Sequence, residues 1–156
     1  MLTPNTPAPA FTAPNQFGDP VSLADFRGKQ NVILYFYPKD DTPGCTIEAN
    51  QFTALAEEFA ALGTAVIGVS RDSCASHRAF ITKYGLRVDL LADEDGSLCQ
   101  DYGVWQEKEK NGEKKMGIVR STFLIDRNGQ LVDVMYGVTA EGHADAMLVK
   151  ARSLGA

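Results

Sequence analysis

The 156-residue chain holds only three cysteines, Cys45, Cys74 and Cys99, and no CxxC pair. That odd, sparse set at long spacing argues against a secreted disulfide framework, a zinc ribbon and a thioredoxin-type dithiol. Histidine is scarcer still. His77 and His143 have no companion at metal-ligand spacing, so both read as structural or surface residues and no metal is expected. No apolar run approaches the roughly 20 residues that span a bilayer. The opening stretch MLTPNTPAPAF lacks the basic start and apolar core of a signal peptide. Basic residues number 15 against 20 acidic ones, for a net charge of −5, with no Lys/Arg stripe to engage nucleic acid. The expectation is a cytoplasmic protein with neither membrane nor nucleic acid as partner. In that reducing compartment a chemically interesting cysteine is more often catalytic than structural.

What is present reads as one globular domain over residues 1–156, 44% hydrophobic and 22% charged. The first thirty residues are rich in Pro and turn formers, with a helical turn at 22–26. NVILYFY (31–37) and TAVIGVS (64–70) are continuous, apolar and β-branched, as buried strands are. Between them Phe52, Leu55, Phe59 and Leu62 share one face of a helix over 45–62 that Gly63 stops. A helix over 73–84, a short strand at 89–92 and a short helix at 95–102 follow. EKEKNGEKK (107–115) reads as a solvated, charged loop or hairpin tip. Strands at 121–126 and 130–136 are joined through Asn128-Gly129, a hairpin signal, and a helix over 142–154 closes the chain. Strand–helix–strand–helix followed by a hairpin and a helix predicts an α/β fold. Its mixed central sheet has helices on both faces, the thioredoxin-like layout, although pattern alone admits other three-layer α/β folds.

The chemistry gathers after the first buried strand. Thr42 is suited to an N-cap, Pro43 to the first helical position and Gly44 to a tight turn. Cys45 then falls in the first helical turn, where amide N–H groups are unpaired and the helix dipole is positive. Such a site favours the thiolate, which is the nucleophile. It also sits at the carboxyl end of a strand, where α/β folds place their sites.

Pro38, Thr42 and Cys45 form a PxxxTxxC pattern, set in FYPKDDTPGCTIEA (36–49). GVSRDS (68–73) with Ser76-His77, Leu91-Ala-Asp93 before Tyr102-Gly-Val104, and RSTFLID (120–126) accompany it. On these residues, from about Pro9 onward, the chain resembles the peroxiredoxins, in particular the bacterioferritin comigratory protein (PrxQ) subfamily. The resemblance implies a thioredoxin-like fold and a thiol peroxidase that needs no organic cofactor or metal. It implies that Cys45 attacks the hydroperoxide, Thr42 offers its hydroxyl to the peroxide oxygens and Pro38 shields the sulfur. Arg120 would stabilise thiolate and peroxide, and Glu48 would orient Arg120. Taken alone, Glu48 is equally a first-turn acid serving the helix dipole. Thioredoxin, glutaredoxin or a low-molecular-weight thiol would act as reductant, and the chain would be a monomer or a weak homodimer.

One departure from the subfamily concerns recycling. Many members carry a resolving cysteine five residues after the first, where this chain has Asn50; others place it in the next helix, at a position matching Ile81. Both are absent. An external thiol is then the leading reductant of the oxidised Cys45, with Cys74 the next choice and Cys99, which reads as core, or a cross-chain disulfide the last. A peroxide sensor that passes its oxidation to a partner protein is the alternative function.

Overall fold

A computed structural model describes residues 1–154, with Lys110 described by its backbone alone. In chain order, β1 (Thr12–Pro14) and β2 (Pro20–Ser22) form a hairpin and a 3-10 turn (Leu23–Phe26) follows. Then come β3 (Asn31–Phe36), α1 (Pro43–Ala54), α2 (Ala56–Ala61), β4 (Thr64–Ser70), α3 (Cys74–Tyr84), β5 (Asp89–Ala92) and α4 (Ser97–Asp101). The chain continues through β6 (Trp105–Lys110), β7 (Glu113–Ile118), β8 (Ser121–Ile125), β9 (Leu131–Tyr136) and α5 (His143–Leu154). The five-stranded central sheet runs β5-β4-β3-β8-β9. β3, β4 and β5 are parallel, whereas β8 is antiparallel to β3 and β9 to β8. This is the expected mixed, thioredoxin-like sheet. No helix among the described residues is long and apolar enough to cross a membrane.

β3 is the central strand, and all six of its residues are buried. Val32, Leu34 and Phe36 pack with Leu98 and Cys99 of α4 and with Tyr102 on one face. Ile33, Tyr35 and the following Tyr37 pack on the other with Phe52 of α1, Phe59 of α2, Phe80 of α3 and Met147 of α5. A strand covered on both faces must be apolar at every position, which is why the run shows no alternation. Helices do lie on both faces, but unequally: four on one and α4 alone on the other. Tyr35 stacks on Phe52 with centroids 4.8 Å apart, a contact worth about 0.5–1.5 kcal/mol beyond its buried area. It joins β3 to α1 immediately below the strand–helix junction.

Several elements differ from expectation. The single helix over 45–62 is two. At Leu55 (φ −103°, ψ 12°) the N–H turns back to Phe52 O and Thr53 O, so the ladder tightens, while Phe52 and Phe59 both stay buried. Helix α4 is shorter than predicted and starts after Gly96, which is left-handed at φ 76°. The turn-rich N-terminus contains β1 and β2. Their loop is built by Asn15, whose side-chain oxygen accepts from the N–H groups of Phe17 and Asp19. The charged 107–115 stretch follows the second of its two expected readings, a hairpin tip: it closes a regular β6–β7 hairpin, turned at Asn111 and Gly112 with φ 53° and 80°. Two consecutive left-handed residues are the signature of a tight hairpin turn.

Candidate active site

The loop leaving β3 delivers the chain into α1 with Pro43 first, Gly44 second and Cys45 third. The first helical hydrogen bond at this end runs from Thr46 N–H to Thr42 O, at 2.8 Å. The amides of Gly44 and Cys45 therefore precede the ladder, at the positive end of the helix. Cys45 is 2% exposed, with its side chain in the cluster of Tyr35, Tyr37 and Phe52.

Arg120, 75 residues away and immediately before β8, meets it there. Its Nη2 donates to Cys45 Sγ at 3.3 Å and its Nη1 to Glu48 Oε1 at 2.7 Å. Three of the predicted residues thus converge. The planar guanidinium suits this double contact, because its donors diverge in a fixed fork. Glu48 is fully buried one turn below Cys45, and its Oε2 has no hydrogen-bond partner in the protein. Burial lifts its pKa to about 7, partly offset by Arg120.

Stability should register that shift. A carboxyl held at about 7 when folded and 4.5 otherwise binds more protons folded than unfolded between those values. Its contribution is therefore complete below pH 4.5 and lost as the pH rises through 7. At about 1.4 kcal/mol per pH unit this amounts to about 3 kcal/mol. Urea unfolding from pH 4.5 to 7.5 is expected to show that decline in the wild type and its absence in Glu48→Gln.

Two expectations need correction. Thr42 holds the N-cap position, but its side chain makes no cap bond; its hydroxyl donates to Lys39 O at 2.8 Å. That bond folds the loop on itself and leaves the oxygen's acceptor lone pairs free. Gly44 is not among the left-handed glycines. Its value is space: a Cβ there would lie 2.9 Å from Arg120 Nη2, so only glycine admits the guanidinium without displacing it. Pro38 is exposed in the same loop, and Thr42 is half-buried.

The other two thiols lie elsewhere. Cys74 is half-buried at the first position of α3, and Cys99 is fully buried in α4, as its core reading predicted. Burial raises the Cys99 pKa, and the neighbouring Asp93 raises it further.

Some neighbours of the site were not anticipated. His143, read as structural or surface, is buried at the start of α5 with Nε2 2.7 Å from Thr122 Oγ1. Burial, then Arg120 and Lys150, lower its pKa to about 4, so it is neutral at pH 7. Lys108 of β6 is half-buried rather than a solvated loop charge. Burial and Arg120 lower its pKa, and Cys45 opposes them. His77 is fully buried and bonded to Asp40 of the Cys45 loop. Its signal was periodicity: it precedes Phe80 by three residues and Tyr84 by seven, on the packing face of the helix.

A thioredoxin-like sheet that brings an arginine to one helix-start cysteine, with no CxxC pair, has the layout of a thiol-dependent peroxidase. Known proteins carry the assignment further. Residues 4–134 match the AhpC/TSA family. The peroxiredoxin Bcp of Xanthomonas campestris is 47% identical over 117 residues, covering 75% of this chain and 73% of that one. The peroxiredoxin Bcp of Bacillus subtilis is 43% identical over 136 residues, covering 87% and 86%. A solved structure of the Xanthomonas campestris bacterioferritin comigratory protein superposes with a TM-score of 0.87 at 39% identity, over 92% of this chain and 91% of that one. That structure bears on the alkyl peroxide reduction activity of the Xanthomonas protein. The chain belongs to the AhpC/TSA family, among its Bcp/peroxiredoxin Q members, and is a thiol-dependent peroxidase.

Proposed function

We propose that Cys45 is the attacking sulfur and that Arg120, Thr42, Glu48 and Pro38 serve it. The contact of Arg120 Nη2 with Cys45 Sγ at 3.3 Å carries this reading. The Cys45 thiolate attacks one peroxide oxygen, an S–O bond forms and the O–O bond breaks. The departing oxygen takes the electron pair and a proton and leaves as water or an alcohol, while the sulfur is oxidised to a sulfenic acid. Negative charge develops on that oxygen, so donors already fixed beside it lower the barrier. Arg120 supplies the permanent charge. Thr42, whose hydrogen goes to Lys39 O, offers its oxygen lone pairs to the peroxide O–H, Glu48 holds the guanidinium through Nη1, and Pro38 covers the solvent side.

The substrates are hydrogen peroxide and organic hydroperoxides, the latter supported by the alkyl peroxide activity of the Xanthomonas relative. An external thiol (thioredoxin, glutaredoxin or a small thiol) condenses with the sulfenic acid, releasing water. A second thiol then breaks the mixed disulfide and returns Cys45 to its reduced state. The absence of cysteine at Asn50 and Ile81 supports this one-cysteine cycle. The chain works in the cytoplasm as a single domain and a monomer.

Mass spectrometry after one equivalent of hydrogen peroxide tests the cycle. Sulfenic acid on Cys45, with Cys74 and Cys99 still reduced, is the expected result. A Cys45–Cys74 disulfide within one chain would replace the external thiol in the first reductive step; it requires the two Cα atoms to approach within about 7 Å.

A further inference from the structure

We propose that His77 is a positioning residue for peroxide attack: it fixes Asp40 and thereby the loop that carries Thr42 and opens α1. The proposal rests on Cys45 as the attacking sulfur, which the wild-type arm of the test checks by itself.

His77 is fully buried on the packing face of α3. Its Nε2 lies 2.9 Å from Leu91 O on β5. A carbonyl only accepts, so Nε2 carries a hydrogen. The other nitrogen, Nδ1, lies 2.7 Å from Asp40 Oδ2. The same oxygen accepts from Ser76 Oγ at 2.8 Å, and Asp40 Oδ1 accepts from Tyr37 Oη at 2.5 Å. Asp40 N–H donates to Asp72 Oδ2 at 2.9 Å, and that oxygen also accepts from Ser70 Oγ at 2.6 Å. Side chains just past β3 (Tyr37), just past β4 (Asp72) and in the first half of α3 (Ser76 and His77) thus converge on one loop residue.

The next residue is held as well. Asp41 is left-handed at φ 56°, an unfavourable conformation for a residue with a Cβ. Its carboxylate accepts from Lys83 Nζ at 2.7 Å and from Tyr84 Oη at 2.5 Å, both in the last turn of α3. Thr42 follows, with its hydroxyl turned to Lys39 O. The loop has no apolar packing of its own to set this shape, since Lys39 and Asp41 are exposed and Thr42 is half-buried. Its conformation is set by hydrogen bonds to α3, and among those His77 makes the fully buried one. Arg120 grips the sulfur from the β8 side, and α3 holds the peroxide-facing loop from the other.

Attack needs the peroxide placed against both Thr42 and the sulfur, whereas alkylation of Cys45 by iodoacetamide needs only the sulfur. Both rates are measured on the full chain, with oxidation and alkylation each read on the Cys45 peptide. His77→Ala is expected to slow oxidation by hydrogen peroxide at least about tenfold, the scale of lost positioning, and to change alkylation by less than about twofold. His77→Asn, which keeps a donor near Asp40, is expected to recover part of the peroxide rate. If His77→Ala does not fold, Tyr37→Phe carries the test, because it removes a single hydroxyl, the one that donates to Asp40 and lies 3.4 Å from His77 Nδ1. It is expected to slow oxidation several-fold with alkylation unchanged. A peroxide rate that stays at the wild-type value, or that falls in step with alkylation, overturns the proposal.

Discussion

Cys45→Ser is expected to lower peroxide turnover by on the order of 10⁴-fold or more, the scale of losing a covalent nucleophile. A serine hydroxyl stays protonated at neutral pH, and among the described residues the side chain hydrogen-bonded at this position is Arg120. Its nearest charged neighbour is Arg120, which would stabilise an alkoxide but cannot take its proton. The rest of the site should survive the change. Serine is about the size of cysteine, and the Arg120–Glu48 bond at 2.7 Å does not involve the sulfur. The variant should therefore fold and lose chemistry alone. Cys99→Ser supplies the contrast. Burial and Asp93 disfavour the Cys99 thiolate, so that variant is expected to consume peroxide at close to the wild-type rate. Peroxide consumption with an external thiol in excess measures all three proteins.

Arg120→Met is expected to lower the rate of Cys45 oxidation by about 10²–10³-fold, as loss of one preorganised donor does. It also strips Glu48 of the charged partner it has among the described residues. Breaking a buried pair by removing one member costs about 3–5 kcal/mol when the survivor stays charged. Glu48 has an escape. Burial already holds its pKa at about 7 with Arg120 in place, and Arg120 is what lowers it. Without the arginine it takes up a proton at neutral pH, and the loss of stability is smaller. The double variant Arg120→Met/Glu48→Gln separates the two effects. It is expected to recover the unfolding free energy of the parent and none of its peroxide rate. Urea unfolding and single-turnover oxidation, run on the same samples, check both halves.

How much of this was legible in the sequence depends on range. β3 and β4 were legible because strands covered on both faces carry near-continuous apolar runs, broken here by Gly68 and by Asn31, Thr64 and Ser70 at the strand ends. The start of α1 was legible because Thr42, Pro43 and Gly44 are local signals. The break at Leu55 was not, since Ala54-Leu55-Ala56 contains no breaker and the ladder shifts only by its hydrogen bonding. β1 and β2 were hidden in a Pro-rich segment whose strands are three residues each, too short for periodicity to register. At the site, Cys45 could be argued from local physics. Arg120 could not, because an arginine before a strand is usually solvated, and its contact spans 75 residues; the family resemblance supplied it. Asp40 and His77 were missed for a related reason. Polar side chains read as surface, and only a long-range network of partners makes their burial tolerable. Gly44 was singled out correctly for the wrong property. It serves to admit Arg120 rather than to bend the backbone.

Attack by Cys45 itself is checked by rapid mixing of the reduced wild-type chain with limiting hydrogen peroxide, quenched at intervals with a sulfenic-acid-specific trap. Labelled Cys45 is expected to rise one for one with lost peroxide and with the same rate constant. Peroxide that disappears while Cys45 stays unlabelled, or label that gathers first on Cys74 or Cys99, would contradict it.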